Sequence, residues 1–173
     1  MKVIDNFLPY DQHKKIVDLL TDNEFPWNLS GVIPPGNPLG TPTCDILQNY
    51  QLNHTFYIDD VPYTPYFDHV VPLVAALQPK SLMRVRANCN INTSQIVEHG
   101  MHQDYDWEGV KAAVYYVNTN DGYTKFKSGE KVDSVANRML IFDASEQHTG
   151  STCTNTLARY VINVNFFWRS LPL

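Results

Sequence analysis

The spacing of apolar positions in the first half of the chain is mainly helical. A short apolar segment at 3–4 predicts a strand, and residues 11–22 then carry apolar side chains three and four positions apart. That spacing predicts an amphipathic helix that docks on the rest of the protein. A second helix is predicted over 68–77, where Pro72 is compatible only with the first turn and Pro79 ends the helix.

Between these two helices the sequence is rich in proline. Residues 26–65 hold seven of the eleven prolines of the chain. Proline removes a backbone hydrogen-bond donor and fixes φ, so long regular elements are not expected there. We expect mobile loops and short strands in this segment, and the wider stretch 23–67 is where a lid and a substrate groove would lie.

Beyond residue 80 the period changes from helical to two. Four strands are predicted, over 84–91, 110–117, 138–142 and 158–168. Two of them have one polar and one apolar face. The polar positions are Arg84, Arg86, Asn88 and Asn90 in the first strand, and Arg159, Asn163 and Asn165 in the last. A sheet with one solvated face or a barrel with a polar interior gives this pattern; docking of the helices favours the barrel.

Composition and charge narrow the class of protein. A chain of 173 residues, 43% apolar and 18% charged, predicts one globular domain over 1–173, with helical support and loops in 1–80 and a β core in 81–170. A net charge of −5 argues against general affinity for nucleic acid or anionic membranes. Three cysteines without a Cys-x-x-Cys pair, no export signal and no long apolar stretch predict a cytoplasmic protein that does not enter membranes.

A candidate metal site lies in the β half. His102 and Asp104 are two residues apart, so on an extended strand both side chains point the same way, and His148 follows 44 residues later. Two histidines and one carboxylate form the facial triad of non-haem Fe(II) oxygenases, whereas a closed zinc site needs a fourth ligand. Each of these residues is also compatible with a turn or loop at the surface. His99 is left out because its odd spacing from His102 places it on the other face of a strand.

Arg159 stands in a strand that is otherwise nearly uncharged. An arginine there is costly unless it meets an anion. The partner is either an aspartate or glutamate of the protein or a dicarboxylate ligand held by the planar guanidinium. Residues 105–107, next to the candidate metal ligands, form either the mouth of a substrate site or an ordinary turn.

Four segments follow one another in the β half of the chain: HQD at 102–104, AVYYVN at 113–118, ANRMLIFDASEQH at 136–148 and RYVINVNF at 159–166. In this order they resemble the 2-oxoglutarate/Fe(II)-dependent dioxygenases, in their prolyl 4-hydroxylase-like branch. The resemblance implies a mainly β (α+β) protein, a double-stranded β-helix or jelly roll with N-terminal helices on the larger sheet. It also implies the roles of single residues. They are Fe(II) binding by His102, Asp104 and His148, binding of the remote carboxylate of 2-oxoglutarate by Arg159 and Tyr116, and a further cosubstrate contact by Asn88.

The resemblance further implies an activity. The enzyme would use Fe(II), 2-oxoglutarate and O2, with ascorbate as an optional reductant, to hydroxylate a C–H bond and release succinate and CO2. A prolyl residue of a peptide or protein is the expected target, and a small-molecule substrate such as a free amino acid stays open. The compact, asparagine-rich chain also resembles bacteriophage-encoded members.

Two other classes of function stay open at this point. One is a jelly-roll binding or structural protein without turnover. The other is a cupin-type metal oxygenase that does not use 2-oxoglutarate and has no need of Arg159. The chain also departs from the family in two places: Asn165 stands where some relatives have tryptophan, and the loop before His102 is long.

Overall fold

The computed structural model describes residues 1–33 and 36–168, and within them lie two helices and eleven strands. The helices are α1 (Tyr10–Leu20) and α2 (Phe67–Leu77). The strands are β1 (Lys2–Ile4), β2 (Asn28–Gly31), β3 (Tyr50–Ile58), β4 (Val61–Pro62), β5 (Pro79–Ile91), β6 (Val110–Tyr116), β7 (Tyr123–Phe126), β8 (Lys131–Asp133), β9 (Arg138–Asp143), β10 (His148–Gly150) and β11 (Ala158–Trp168). Both predicted helices and all the predicted strands are present. No helix in the described part is long and apolar enough to cross a membrane.

The strands form two antiparallel sheets. The larger sheet has the order β1-β9-β6-β11-β5-β3-β2, with β4 added to β3, and the smaller sheet has the order β10-β7-β8. Sequence neighbours are rarely sheet neighbours, so most pairings join distant parts of the chain. This is the jelly-roll arrangement that the sequence predicts, with a larger sheet that receives the helices.

The helices cover the apolar face of the larger sheet. Side chains alternate along β5 and β11, so the apolar ones point away from the space between the two sheets. The helices pack on these apolar side chains and bury them. The contributors from the helices are Ile16, Leu20, Val70, Leu73 and Leu77, and those from the central strands include Val85, Ala87, Tyr115, Ile162 and Val164. Burial of such a side chain contributes about 1.5–3 kcal/mol. The prediction that the helices need an apolar sheet face is confirmed.

A second apolar cluster closes one part of the space between the sheets. It joins the inward side chains of β6 and β9 to the smaller sheet, and its members include Val114, Leu140, Phe142, Phe126 and Val132. The inward positions of β5 and β11 are instead polar. The interior is therefore filled with apolar side chains on the β6–β9 side and lined by polar groups on the β5–β11 side, where the site lies.

Two expectations about proline are wrong. The segment 26–65 contains β3, a strand of nine residues, because its prolines cluster at 26–42 and 62–65 and leave the stretch between them free to pair. Pro72 is the sixth residue of α2 and lies in the helix interior. It cannot donate to the carbonyl of Asp68, and burial of the apolar face of α2 outweighs this loss.

The proline-rich segment also makes defined contacts with the chain around the candidate metal ligands. The backbone N–H of Gln103 donates to the Leu39 carbonyl at 2.8 Å, and the N–H of Thr43 donates to the His99 carbonyl at 3.1 Å. At Gly40 an added Cβ would come within 2.4 Å of the His102 Cβ. The segment 36–43 is therefore a wall of the site, where loops without fixed partners were expected.

Candidate metal centre and its cavity

The structure brings the three predicted metal ligands together. One ligand atom each from His102, Asp104 and His148 lies within 4.8 Å of the other two. His148 was predicted to lie in a loop, but it begins β10. His102 alone forms an isolated bridge with His148, and residues 102–104 do not form a regular strand. In that bridge the N–H of each histidine donates to the carbonyl of the other at 2.9 Å. The bridge fixes the two imidazoles side by side at one end of the cavity.

Hydrogen bonds from the ring nitrogens select the ligand atom of each histidine. Nδ1 of His148 lies 2.9 Å from the Glu146 carbonyl, and Nδ1 of His102 lies 3.3 Å from the Gly100 carbonyl. Donation from Nδ1–H to a carbonyl leaves Nε2 with a free lone pair, which is the arrangement of metal-binding histidines. Burial, with repulsion from His148, lowers the pKa of His102 to about 4, so this ring is neutral at physiological pH.

Asp104 is held by two residues that the sequence did not assign to the metal site. Nδ2 of Asn165 donates to Oδ2 of Asp104 at 2.8 Å, and the guanidinium of Arg84 lies 3.6 Å from Oδ1. Asn165 also accepts a hydrogen bond from Nε of Arg84 at 3.0 Å. Each of the three side chains Asp104, Asn165 and Arg84 therefore contacts the other two. Burial alone would raise the pKa of Asp104, but the electrostatic influence of His148 and Arg84, with the hydrogen bond from Asn165, outweighs burial and lowers that pKa. The carboxylate is thus ionised and oriented before a metal binds.

Asn165→Leu should weaken divalent metal binding by about 10- to 100-fold, because Asp104 would lose the hydrogen bond that orients it. Leucine has the same number of side-chain heavy atoms and the same branching as asparagine, so the fold should persist. The measurement is calorimetric titration of the metal-free protein with Mn(II). Asn163→Leu, two positions away on the same face of β11, is the matched control and should keep the wild-type affinity. Equal affinities for wild type and Asn165→Leu would show that Asn165 does not orient Asp104.

The triad opens into a polar cavity of about 550 Å³. Its walls include inward side chains of β5 and β11 and the segment before β3. The polar residues among its lining are Arg84, Arg86, Asn88, Asn90, Gln51, Asn37, His99, Gln103, Thr124, Arg159 and Asn163. The predicted polar faces of the two strands therefore line one cavity, and the interpretation of a solvated sheet face is wrong.

Arg159 lies in this cavity without an acidic partner. Its side chain is buried, with 3% of its surface exposed. Nε donates to the Ser134 hydroxyl at 2.8 Å and Nη2 donates to the Thr124 hydroxyl at 3.2 Å. Among the residues that the structure describes, no carboxylate forms a salt bridge with it. A buried guanidinium that meets only neutral hydroxyls is costly, so an anion from outside the protein is expected there.

Tyr116 and Asn88 occupy different positions relative to this guanidinium. The Tyr116 hydroxyl donates to Thr124 Oγ1 at 2.8 Å, and its ring lies 5.6 Å from the guanidinium carbon of Arg159. Tyr116 is fully buried and orients Thr124, which lines the cavity and was missed by the sequence analysis. Asn88 lines the cavity directly, and its Oδ1 has no hydrogen-bond partner. Cosubstrate contacts by Tyr116 and Asn88 stay predictions.

His99 also lines the cavity, which the sequence argument did not foresee. Gly100, with φ +125°, interrupts the extended backbone between His99 and His102, so the alternation of a strand does not apply. The ring is fully buried, and neither nitrogen has a hydrogen-bond partner. His99 is not one of the clustered ligands, so its exclusion from the metal site agrees with the structure although the reason given for it was wrong.

Burial of His99 predicts loss of stability in mild acid. Burial, with repulsion from Arg159, lowers its pKa to about 4, whereas the unfolded chain titrates near 6.5. The unfolded state therefore binds more protons below pH 6.5, and the stability present above that pH is lost as pH falls towards 4. The expected slope is about 1.4 kcal/mol per pH unit for this group.

Urea unfolding of the metal-free protein at pH 7, 6 and 5 measures this slope. His99→Gln should reduce the dependence on pH, because glutamine does not titrate. His69→Gln, on the exposed side of α2, is the control and should leave the dependence unchanged. A His99→Gln slope equal to that of wild type would contradict the prediction.

Solved structures of other proteins share this fold over nearly the whole chain. An oxidoreductase of the 2OG-Fe(II) oxygenase family from Burkholderia pseudomallei is 10% identical with a TM-score of 0.67, and the match covers 95% of this chain and 84% of that one. A Trichoplax adhaerens prolyl hydroxylase, in complex with a peptide fragment of the hypoxia inducible factor oxygen degradation domain, is 13% identical with a TM-score of 0.61 and coverages of 96% and 82%. A Pseudomonas putida prolyl-4-hydroxylase is 15% identical with a TM-score of 0.57 and coverages of 98% and 92%. No protein-family model matches the chain, and no curated protein matches its sequence.

The chain therefore has the fold of the 2-oxoglutarate/Fe(II) oxygenases, with prolyl hydroxylases among the proteins that share it. This agrees with the resemblance found in the sequence. At 10–15% identity the similarity establishes the fold. The chemistry has to be argued from the residues of the cavity.

Proposed function

We propose that the protein is an Fe(II)- and 2-oxoglutarate-dependent oxygenase. The observation that carries the proposal is the presence, in one cavity, of a facial triad and a buried arginine without an acidic partner. The first provides a metal site with open coordination positions, and the second provides a site for a carboxylate. The two together fit a dicarboxylate that reaches from the metal to Arg159.

The donor set fits Fe(II). Two imidazoles and one carboxylate are borderline and hard ligands, and the absence of a cysteine from the cluster argues against a closed thiolate zinc site. Asn165 and Arg84 hold the carboxylate, and two backbone carbonyls hold the imidazoles. With three protein ligands, the metal would keep positions for the cosubstrate and O2.

The region around Arg159 fits the far carboxylate of 2-oxoglutarate. Thr124 and Ser134 accept hydrogen bonds from the guanidinium and fix its plane, and Tyr116 fixes Thr124 in turn. An added Cβ at Gly122 would come within 2.7 Å of Arg159 Cδ, so glycine leaves the room that this side chain needs. We assign Asn88, which lines the cavity, to a further contact with the cosubstrate, in which its side-chain N–H donates to an oxygen of 2-oxoglutarate.

The metal, 2-oxoglutarate and O2, when bound, supply oxidation of a C–H bond with release of succinate and CO2. The residues of this chain contribute position and exclusion of water. Arg159 sets the orientation of the cosubstrate, and Asn165 keeps Asp104 in place. The apolar cluster around Phe142 and Phe126 packs against the His148 ring and shields it from solvent on that side.

For the substrate we propose a residue of a peptide or protein, with proline as the first candidate. One structure with this fold is a prolyl hydroxylase that holds a peptide. Tyr105 lines the cavity together with Leu39 and Asn37. Trp107 is 59% exposed and its ring lies 5.8 Å from that of Tyr105, so an exposed aromatic side chain adjoins the cavity lining. The cytoplasmic location and the assignment of 1–173 to a single domain stay predictions.

The two alternative functions have less support from the cavity. A cupin-type oxygenase without 2-oxoglutarate leaves the buried charge of Arg159 unexplained. A binding protein without turnover leaves unexplained why Asp104 is kept ionised and oriented beside two imidazoles. Both alternatives are separated from the proposal by the following titration.

The test is an anaerobic titration of the purified protein with Fe(II) and then 2-oxoglutarate, followed by visible absorption. We expect a weak charge-transfer band when 2-oxoglutarate chelates the metal. Fe(II) binding without a band would favour the cupin-type oxygenase. If Fe(II) does not bind at all, the proposal fails and a binding protein with this fold is the better description.

A further inference from the structure

The polar face of β5 carries another arginine, Arg86, whose charge the proposed reaction does not use. Arg86 is half-buried and lines the same cavity as the triad. Its Nη2 donates to the Ser30 hydroxyl at 3.2 Å, and its Nε is buried without a hydrogen-bond partner. Its neighbours across the strands include Asn163, whose Oδ1 is also unpaired. The guanidinium thus has unused donors next to a cavity that holds no second acid.

No carboxylate of the described residues forms a salt bridge with Arg86. The nearest acid of the cavity, Asp104, already contacts Arg84 and Asn165. Burial, together with repulsion from Arg84, lowers the pKa of Arg86 to about 10, so it is still protonated at neutral pH. Arg84 and Arg86 are like charges on one face of β5, and only Arg84 has an acidic partner. This arrangement is destabilising unless an anion binds next to Arg86.

Arg86 lies at a different level of the cavity from Arg159. In the pairing of β5 with β11, Arg86 is opposite Asn163, whereas Arg159 is opposite Asn90. Four residues separate these levels along each strand, which corresponds to roughly 13 Å of strand length. Arg84, which contacts the candidate ligand Asp104, is two residues from Arg86 on the same face of β5, a distance of roughly 7 Å along the strand. Arg86 therefore lies near the metal end, away from the carboxylate site at Arg159.

The charges of the cavity are unbalanced even when the proposed metal and cosubstrate are present. Fe(II) and the arginines Arg84, Arg86 and Arg159 are the positive charges, and Asp104 and the 2-oxoglutarate dianion are the negative charges. The positive charges exceed the negative ones by two units. A neutral substrate would leave this excess in a half-enclosed space of low dielectric, where it is costly.

We infer that Arg86 binds a carboxylate of the primary substrate, so that the reacting C–H bond belongs to an amino acid or to the C-terminal or acidic residue of a peptide. This inference rests on the proposed oxygenase function and adds to its substrate the requirement of a free carboxylate, in a peptide or in a single amino acid. The planar fork of the guanidinium matches a carboxylate bidentately. The limited space, about 550 Å³ that must also hold 2-oxoglutarate, favours a small anion.

The experiment compares matched acids and amides. Protein loaded with Mn(II) and saturated with oxalylglycine, an analogue of 2-oxoglutarate that is not decarboxylated, is titrated calorimetrically. The probes are free and N-acetylated L-amino acids, including proline, each beside its primary amide. We expect at least one acid to bind roughly 10- to 100-fold more tightly than its amide, the difference made by a charge-assisted hydrogen bond. Arg86→Gln should remove that preference, and Arg86→Lys should keep part of it.

Ser30→Ala is the matched control for a merely structural role of Arg86. It removes the hydrogen bond between Ser30 and Arg86 but leaves the charge, so the preference for the acid should persist. If no acid of the set binds better than its amide, or if Arg86→Gln keeps the preference, the inference is overturned. Loss of the preference in Ser30→Ala would also overturn the inference. The preference for the acid would then depend on the position of β2, which carries Ser30, and not on the charge of Arg86.

The same proteins also separate this inference from the proposed function. Arg86→Gln should show the Fe(II)-dependent charge-transfer band at wild-type concentrations of 2-oxoglutarate. A band in wild type without any preference for acids means that only the substrate assignment has failed. A missing band in wild type means that the proposed function itself has failed.

Discussion

Asp104→Asn is expected to weaken Fe(II) binding by at least about 100-fold and to remove turnover. The amide keeps the shape and can still accept the hydrogen bond from Asn165, but it lacks the negative charge that a divalent metal requires. Losing a direct ligand should cost more than losing an outer contact, which typically costs 10- to 100-fold. The measurement is calorimetric titration with Fe(II) under anaerobic conditions, with 2-oxoglutarate consumption assayed on the same samples.

The fold should survive this change. Asp104→Asn removes the attraction between Asp104 and Arg84 and leaves the packing unchanged. Asp143→Asn, at the exposed end of β9, is the control for loss of one carboxylate elsewhere and should bind Fe(II) as wild type does. Wild-type Fe(II) affinity in Asp104→Asn would mean that the cluster of His102, Asp104 and His148 is not the metal site.

Arg159→Gln is expected to raise the 2-oxoglutarate concentration needed for half-saturation by roughly two orders of magnitude. The guanidinium offers two charge-assisted hydrogen bonds to the far carboxylate, each worth about 1.5–3 kcal/mol. Titration of the charge-transfer band with 2-oxoglutarate measures the effect. Arg138→Gln is the control, because Arg138 pairs with Asp5 away from the cavity and its loss should leave cosubstrate affinity unchanged.

A stability measurement distinguishes this role of Arg159 from a structural one. In the protein without cosubstrate, Arg159 is a buried charge without a counter-ion, so its replacement should leave the unfolding midpoint unchanged or raise it. The stabilisation that 2-oxoglutarate gives the wild-type, metal-loaded protein should disappear in the variant. A variant that unfolds much more easily but binds 2-oxoglutarate normally would assign Arg159 to the fold instead.

Much of the site is encoded in local patterns. Alternation in β5 and β11 placed Arg84, Arg86 and Arg159 on polar strand faces, and those faces line the cavity. Side chains on a strand alternate whatever the rest of the protein does, so this property can be read from a few consecutive residues. The cost of burying a charge likewise identified Arg159 as a residue that needs an anion.

Local patterns failed where the backbone departs from regular geometry. The positive φ of Gly100 turned His99 into the cavity against the expected alternation. Burial of an apolar helix face allowed Pro72 inside α2, where propensity alone argues against it. The nine residues of β3 pair with the centre of the larger sheet in a segment whose composition predicted loops.

By itself, the sequence determined the mainly β class, the two docked helices, the polar lining of the cavity and the three candidate metal ligands. The class, the helices and the polar lining depend on residue type and on spacing within short segments. The third metal ligand, His148, follows 44 residues after Asp104, and it was identified from the order of four separate segments. Only the tertiary structure decided that Asn165 holds Asp104, that Thr124 and Ser134 are the neutral partners of Arg159, and that Arg86 has no acidic partner. These contacts join residues 25 to 61 positions apart. Such contacts depend on which strands become neighbours and in what register, which is decided by the packing of the whole chain.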